Sequence, residues 1–445
     1  MRTISALPAA LAVAALGIVA AAGAKAPHVP APKADPAGII DLPPGFQYRV
    51  LARGGQGQVV STESGKTFPM PDDFDANAAF AAPRGGTWLL SSHELTQPRP
   101  GDFRGDAGKS AVPEQATSED GDSEGWGSVS RLRLNAAGEV TKAELITTGL
   151  HNLCAGAKTP RNTFLVNEEF PFRTDPERRS GWIWEIDPAT GKATKLAAMG
   201  RLSHEQEVPV GNAWYETEDL GGWRFLYRFV PDSPSDLTKG TLFGLKFDRA
   251  SGTGTWIGPL DPTNAHDDMV SRGLDPTVSG FDKAEGMAVT PDRTSFVFSE
   301  SGSTSKPNAA DNPGNVWLLT PQPDGSIKGR VLLAGTFDAL SHPDNLRYTP
   351  AGDLVVAEDN GSHIKDANGG YNELRLLPKG MTGTANTVVL ARIRGEGEPT
   401  GPWFYRDGKT MYLSLQDVND KSYLLAVKWS RPFSKAYAPA LKRKG

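Results

Sequence analysis

TPDRTSFVFSE (Thr290 to Glu300) is a polar turn, a short run of strand-forming residues and a closing acid. Pro, Asp and Arg supply the bend, and Ser-Phe-Val-Phe favours an extended chain. The pattern recurs as APRGGTWLLSSHE (Ala82 to Glu94), TPRNTFLVNEE (Thr159 to Glu169), VGNAWYETED (Val210 to Asp219), TPAGDLVVAED (Thr349 to Asp359) and YRDGKTMYLSLQ (Tyr405 to Gln416). A second short element precedes each turn: DANAAFAAP, LCAGAKTP, SHEQEVPV, KAEGMAVTP, HPDNLRYTP and GEPTGPWFY. Strand, turn, strand in six copies, with no helical periodicity between them, is the signature of a β-propeller. The expected fold is therefore all-β, a single six-bladed β-propeller with loop insertions. Three Gly/Pro/Asp-rich stretches read as those insertions: Pro98 to Glu124, Asp261 to Thr277 and Gly302 to Gly314. Two packed β-sandwiches would not explain the matched spacing.

The 445 residues hold 49 Gly and 35 Pro, which suits a turn-rich globular chain. Lys and Arg number 47 against 52 Asp and Glu, a net charge of −5, so neither nucleic acid nor an anionic membrane is favoured as partner. The one cysteine, Cys154, excludes an internal disulfide framework. Residues 1–24 read as a signal peptide: Arg2, an Ala/Leu/Val run from Ile4 to Ala22, and an Ala22-Gly23-Ala24 cleavage site. Pro8 and Gly17 count against a membrane anchor, so no stable membrane insertion is expected once the signal is removed. Residues 25–37 read as a Pro/Ala-rich linker, 38–430 as the propeller and 431–445 as a basic tail. A periplasmic or secreted monomer is the expectation.

In a propeller the starts of the innermost strands line the central channel, so equivalent positions form rings. The first ring reads Asn77, Cys154, Glu205, Glu285, Asp344 and Glu398. The ends of the next strands add His93/Glu94, Glu168/Glu169, Glu218/Asp219, Glu300, Glu358/Asp359 and Gln416. The two strands run antiparallel, so both sets emerge at one mouth. One such glutamate alone is an ordinary turn residue; the recurrence at matched offsets is what points to a site. Crowded carboxylates raise one another's pKa, and bound cations relieve the repulsion. Oxygen donors suit calcium, whereas a thiolate beside carboxylates suits iron or another transition ion.

Arg131, Lys158, Arg161, Arg201, Lys283 and Arg347 lie near the repeats, and a cation at such a mouth suits an anionic substrate. Lys283 stands out, because it precedes Glu285 by two positions and shares its strand face. His93 and His204 each precede a glutamate and are candidates for ligand, orienter or packing; His204 joins Lys283 as a candidate catalytic residue. There is no GxSxG elbow, Walker A loop, HExxH helix or CxxCH haem site.

At these residues the sequence resembles the PhoX-type alkaline phosphatases. The stretches that carry the likeness are CAGAKTPRNTFLVNEE, GRLSHE, YETED with YRFVP, FDKAEGM, SHPDNLRYTPAGDLVVAED and GEPTGPWFYRDGKTMYLSLQ, spanning about Phe74 to Trp429. The resemblance implies a six-bladed propeller that holds iron(III) and calcium around a bridging oxo group and hydrolyses small-molecule phosphate monoesters. It makes Cys154 an iron ligand, Glu205, Glu285, Asp344 and Glu398 ligands to iron or calcium, and Glu169 and Asp359 further metal candidates. The chain departs from the family where Arg-Pro-Glu-Gly becomes Lys283-Ala284-Glu285-Gly286, and where Asn167 replaces a cysteine. Arg2 is not followed by the twin arginine of folded export. The alternatives are a calcium-dependent propeller phosphodiesterase or phytase, and a lactonase or sugar dehydrogenase, none of which needs Cys154. A binding propeller without catalysis is a further alternative, and it has no need of carboxylate rings.

Overall fold

A computed structural model describes residues 30–95, 127–169, 180–302, 312–360, 371–395 and 397–429. The expected signal peptide, the insertion Pro98 to Glu124, most of Gly302 to Gly314 and the basic tail lie outside the described residues.

Alternating apolar residues in short runs between Gly- and Asp-rich turns give four-stranded antiparallel units. The first comprises Phe74–Ala81, Thr87–His93, Gly127–Leu134 and Val140–Leu150. The second comprises Leu153–Cys154, Phe164–Glu168, Ile183–Ile186 and Ala193–Lys195. The third begins with His204–Val210, the fourth with Ala284–Val289 and the fifth with Pro343–Tyr348, each followed by its hairpin partners. The sixth runs Glu398–Phe404, Thr410–Gln416 and Tyr423–Trp429, and its outer strand is the N-terminal Phe46–Arg53, paired antiparallel with Tyr423–Trp429. Beginning and end of the fold are thus fastened in one sheet. The innermost strands pack in a closed order, first to sixth and back to the first. The fold is an all-β propeller.

Thr253–Ile257 joins the third and fourth units at their outer edges by pairing with Ile327–Ala334. A β-bulge interrupts the inner hairpin near the start of five inner strands, between Phe74 and Asn77, His204 and Glu207, Ala284 and Met287, Pro343 and Leu346, and Thr400 and Trp403. Each bulge bends the strand start and re-aims its side chain.

The core lies in the wedges between blades. In the third-to-fourth wedge, Leu245, Phe247, Phe281, Phe296, Phe298 and Trp317 are buried together. Phe281 meets Phe298 at 4.7 Å and Trp317 at 5.5 Å between ring centroids, both edge-on. Phe298→Ala is expected to cost about 3–5 kcal/mol, read as a lowered melting temperature, because the space of a fully buried ring cannot be refilled by collapse of its neighbours.

Two stretches differ from the sequence expectation. Asp261 to Thr277 contains the helix Ala265–Ser271 and the start of a second, Pro276–Ser279. Ala265 and Met269 sit one turn apart and join the buried cluster around Phe225 and Leu242, so a single helical face is enough to fix the segment. Of the expected linker, Lys33 bridges to Leu42, and the Asp35 carboxylate accepts from the amides of Ala37 and Ile39 and from the Tyr48 hydroxyl at 2.7 Å. That part of the stretch is held against the fold.

Candidate metal centre

The start of each inner strand brings one side chain to the channel mouth: Asp75, Cys154, Glu205, Glu285, Asp344 and Glu398. Asp75 takes the place expected for Asn77. The Asn77 side chain instead ties blades together, donating to the carbonyl of Gly401 and to Ser414 Oγ and accepting from Ser91 Oγ.

The ends of the second strands divide by the two-residue alternation of a strand. Glu94, Glu169, Asp359 and Gln416 turn towards the first ring. The acids one position earlier in three of the blades, Glu168, Glu300 and Glu358, turn away and become structural acceptors. Glu168 accepts from the amides of His151 and Trp182, Glu300 from Asp282, and Glu358 from Ser341 and Glu373. In three blades the acceptor grips the amide one residue before a left-handed position, Asn152, Lys283 or His342. The carboxylate thus pins the bend that aims the ring residue. Glu218 accepts from the Tyr227 hydroxyl and lies 3.0 Å from His266 Nδ1. Glu300, expected in the second ring, is held by Arg249 and Trp317, and Ser301 follows it at the mouth-side position.

Four donor groups overlap around the ring: Asp75–Glu94–Cys154, Cys154–Glu169–Glu205, Glu205–Glu285–Asp344 and Asp344–Asp359–Glu398. Within each group the donor atoms lie within 4.8 Å of one another, a separation that cations with bonds of about 2.0–2.6 Å can bridge. Burial is the main influence raising the pKa of Asp75, Glu94, Glu169, Glu205, Glu285, Asp344 and Glu398, and neighbouring carboxylates add to it at most of them. Burial also pushes the Cys154 thiol well up, followed by Glu205 and Asp75. These groups keep their charge together only beside cations, so the donor set fits a metal cluster.

Neutral donors hold the carboxylates in place. Gln416 Nε2 donates to Glu94 at 3.0 Å and Asp75 at 3.3 Å, Thr400 Oγ1 to Asp75 at 3.1 Å, Asn345 to Asp344 at 2.9 Å, and Asn152 to Glu169 at 2.7 Å. Lys283 bonds Glu285 and stands 3.6 Å from Asp219. Burial works against its charge, but Glu285, Asp219, Asp359 and Asp344 outweigh burial and raise its pKa well above the usual lysine value.

His204 does not join the candidate catalytic group. It turns to the opposite side from Glu205, with Nε2 2.9 Å from the Gly200 carbonyl and Nδ1 3.7 Å from Glu216, and burial pushes its pKa down to about 4. His93 packs likewise, between the Asp72 carbonyl and Ser130. Arg131 pairs with Glu144, Arg161 with Glu185, and Arg201 donates to the Ser180 carbonyl, so none of these reaches the ring.

Beneath the ring Glu207 is buried, accepts from Asn167 Nδ2 and is pushed by burial up to about 8. Its folded pKa lies above the unfolded value, so the stability it contributes is full below about 4.5 and is lost as pH rises through about 8. Glu207→Gln removes that loss. The variant is expected to match the parent in melting temperature near pH 4.5 and to exceed it increasingly up to about pH 8.

Comparison with known proteins adds four findings. The model of the family described as alkaline phosphatase PhoX matches residues 28–418. Among solved structures, Pseudomonas fluorescens PhoX in complex with vanadate, a transition state analogue, superposes with a TM-score of 0.64 at 17% identity, covering 92% of this chain and 98% of that one. A gluconolactonase from Xanthomonas campestris reaches a TM-score of 0.45 at 12% identity, covering 92% of this chain and 99% of that one. No curated protein matches the sequence.

Proposed function

The chain belongs to the PhoX family of alkaline phosphatases and is a phosphatase, and on that premise we propose that it hydrolyses phosphate monoesters at a multinuclear iron(III) and calcium centre in the acidic mouth. The observation that carries the reading is the continuous run of four overlapping donor groups with a single thiol among oxygens. Cys154 belongs to the two groups that suit iron, with Asp75 and Glu94 on one side and Glu169 and Glu205 on the other. The all-oxygen group Asp344–Asp359–Glu398 suits calcium. Bound cations supply charge against the carboxylates and polarise phosphate oxygens.

The protein's own groups prepare that chemistry. Asn152, Gln416, Thr400 and Asn345 fix carboxylate orientation, which leaves little reorganisation during reaction. Lys283, charged and steered by Glu285 and Asp219, offers its ammonium hydrogens to a phosphate oxygen. Lysine in place of the family's arginine gives a point charge without a bidentate fork, so phosphate orientation falls more heavily on the metal-binding carboxylates. The Ala-rich N-terminal run supports export, with the enzyme acting in the periplasm or medium.

Two assays test the reading. Turnover of p-nitrophenyl phosphate is expected to exceed that of bis(p-nitrophenyl) phosphate, and a diester preference would reject the monoester assignment. Lys283→Gln is expected to lower kcat about 10²- to 10³-fold, the usual effect of losing one preorganised donor to the transition-state charge. A variant with kcat unchanged would remove Lys283 from the phosphate.

A further inference from the structure

We propose that the end of the channel opposite the acidic ring is a second binding site, for an organic dianion with an apolar or aromatic body. A cavity of about 400 Å³ opens there, among the far ends of the inner strands. Arg347, in its lining, stands three residues along from Asp344 on the same strand, about 10 Å at the rise of an extended chain. Gln206 separates the two ends: its Nε2 donates to the Gly156 carbonyl at 3.0 Å and its Oε1 accepts from the Met287 amide at 2.6 Å.

Two cations line the cavity, Lys158 and Arg347. Lys158 donates to the Ala79 carbonyl at 2.8 Å and lies 4.4 Å from the centroid of Phe80. Arg347 lies over Trp403, 3.9 Å from the ring centroid. Among the described residues neither has a carboxylate within ion-pair distance, and burial followed by the charge of Arg347 lowers the pKa of Lys158. Glu207 also lines the cavity but is engaged by Asn167, while exposed Arg293 adds a further positive charge at the rim.

Two cations drawn out of water and set near each other are a cost to folding unless something at the site uses them. A dianionic head between them supplies that use through charge-assisted hydrogen bonds. Val208, Met287, Val289 and Trp403 line the rest of the space and suit an apolar body better than further charge. The proposed hydrolysis uses none of these residues, so this site is independent of it.

Phenylphosphonate, which has no ester bond to hydrolyse, is the probe, titrated calorimetrically into the full chain, its Arg347→Met and Lys158→Met variants, and Cys154→Ser. The expected result is saturable binding with a dissociation constant of about 1 mM or tighter that survives in Cys154→Ser and in chelator-treated protein. It should weaken at least about tenfold in Arg347→Met and in Lys158→Met, as loss of a charge-assisted contact requires. Arg347→Lys, which keeps the charge, should recover part of the loss, and sulfate, lacking the apolar body, should bind more weakly. Turnover of p-nitrophenyl phosphate by Arg347→Met is expected to stay at the parent level, which separates failure here from failure of the phosphatase assignment. Binding unchanged in Arg347→Met, or abolished in both Cys154→Ser and chelated protein, would assign the phosphonate to the acidic mouth and overturn the proposal. Sulfate binding as tightly as phenylphosphonate would overturn the apolar-body specificity.

Discussion

Asp344→Asn is expected to lower kcat/KM for p-nitrophenyl phosphate by more than about 100-fold while leaving the protein folded. Asp344 is shared by two adjacent donor groups, one with Glu205 and Glu285 and one with Asp359 and Glu398. Removing its charge therefore weakens two cation positions at once. Loss of a partner one shell further out commonly costs 10- to 100-fold, and a shared ligand should exceed that range. The fold should tolerate the change, since Asn keeps the shape and its amide oxygen can go on accepting from Asn345 Nδ2. In metal-free protein the variant is expected to melt higher than the parent, because one member of a repelling set is gone. Activity within about tenfold of the parent would place Asp344 outside the centre.

The second large effect belongs to Cys154. Cys154→Ser is expected to lose at least about 100-fold in turnover, together with any visible thiolate-to-metal absorption. The thiol is buried among Asp75, Glu94, Glu169 and Glu205, surroundings that oppose a free thiolate, so deprotonation there requires a bound cation. Serine preserves the volume but offers a hard and poorly acidic oxygen. A loss of colour and iron with calcium retained would assign the thiol to iron. Full activity in Cys154→Ser would reduce it to core packing and would favour a calcium-only hydrolase.

Most of the mouth was legible because the propeller repeats itself. Cys154, Glu205, Glu285, Asp344 and Glu398 could be picked out because each stands a similar short distance before the following turn, and the structure gathers all of them. Asp75 escaped that counting. Asn77 stands as far from its turn as Cys154 and Asp344 stand from theirs, while Asp75 lies one alternation further back in a longer strand. The bulge between Phe74 and Asn77 restores Asp75 to the ring, and bulges leave no clear mark in the sequence. The paired acids, such as Glu168-Glu169 and Glu358-Asp359, were visible as pairs. Alternation then gave one member to the ring and one to the bend beneath it, and which was which depended on register. His204 misled because adjacency to Glu205 in the sequence means opposite faces in a strand. The helix Ala265–Ser271 was hidden because a single buried face of Ala265 and Met269 fixes it within an otherwise polar stretch.

The most direct measurement is elemental analysis of the purified mature protein, with p-nitrophenyl phosphate turnover followed on the same sample before and after chelation. Iron and calcium present together, with turnover lost on chelation and regained when both are returned, is the result expected of a metal-filled acidic mouth. Turnover that persists in protein free of both metals would show that the ring of carboxylates and Cys154 serves some other purpose.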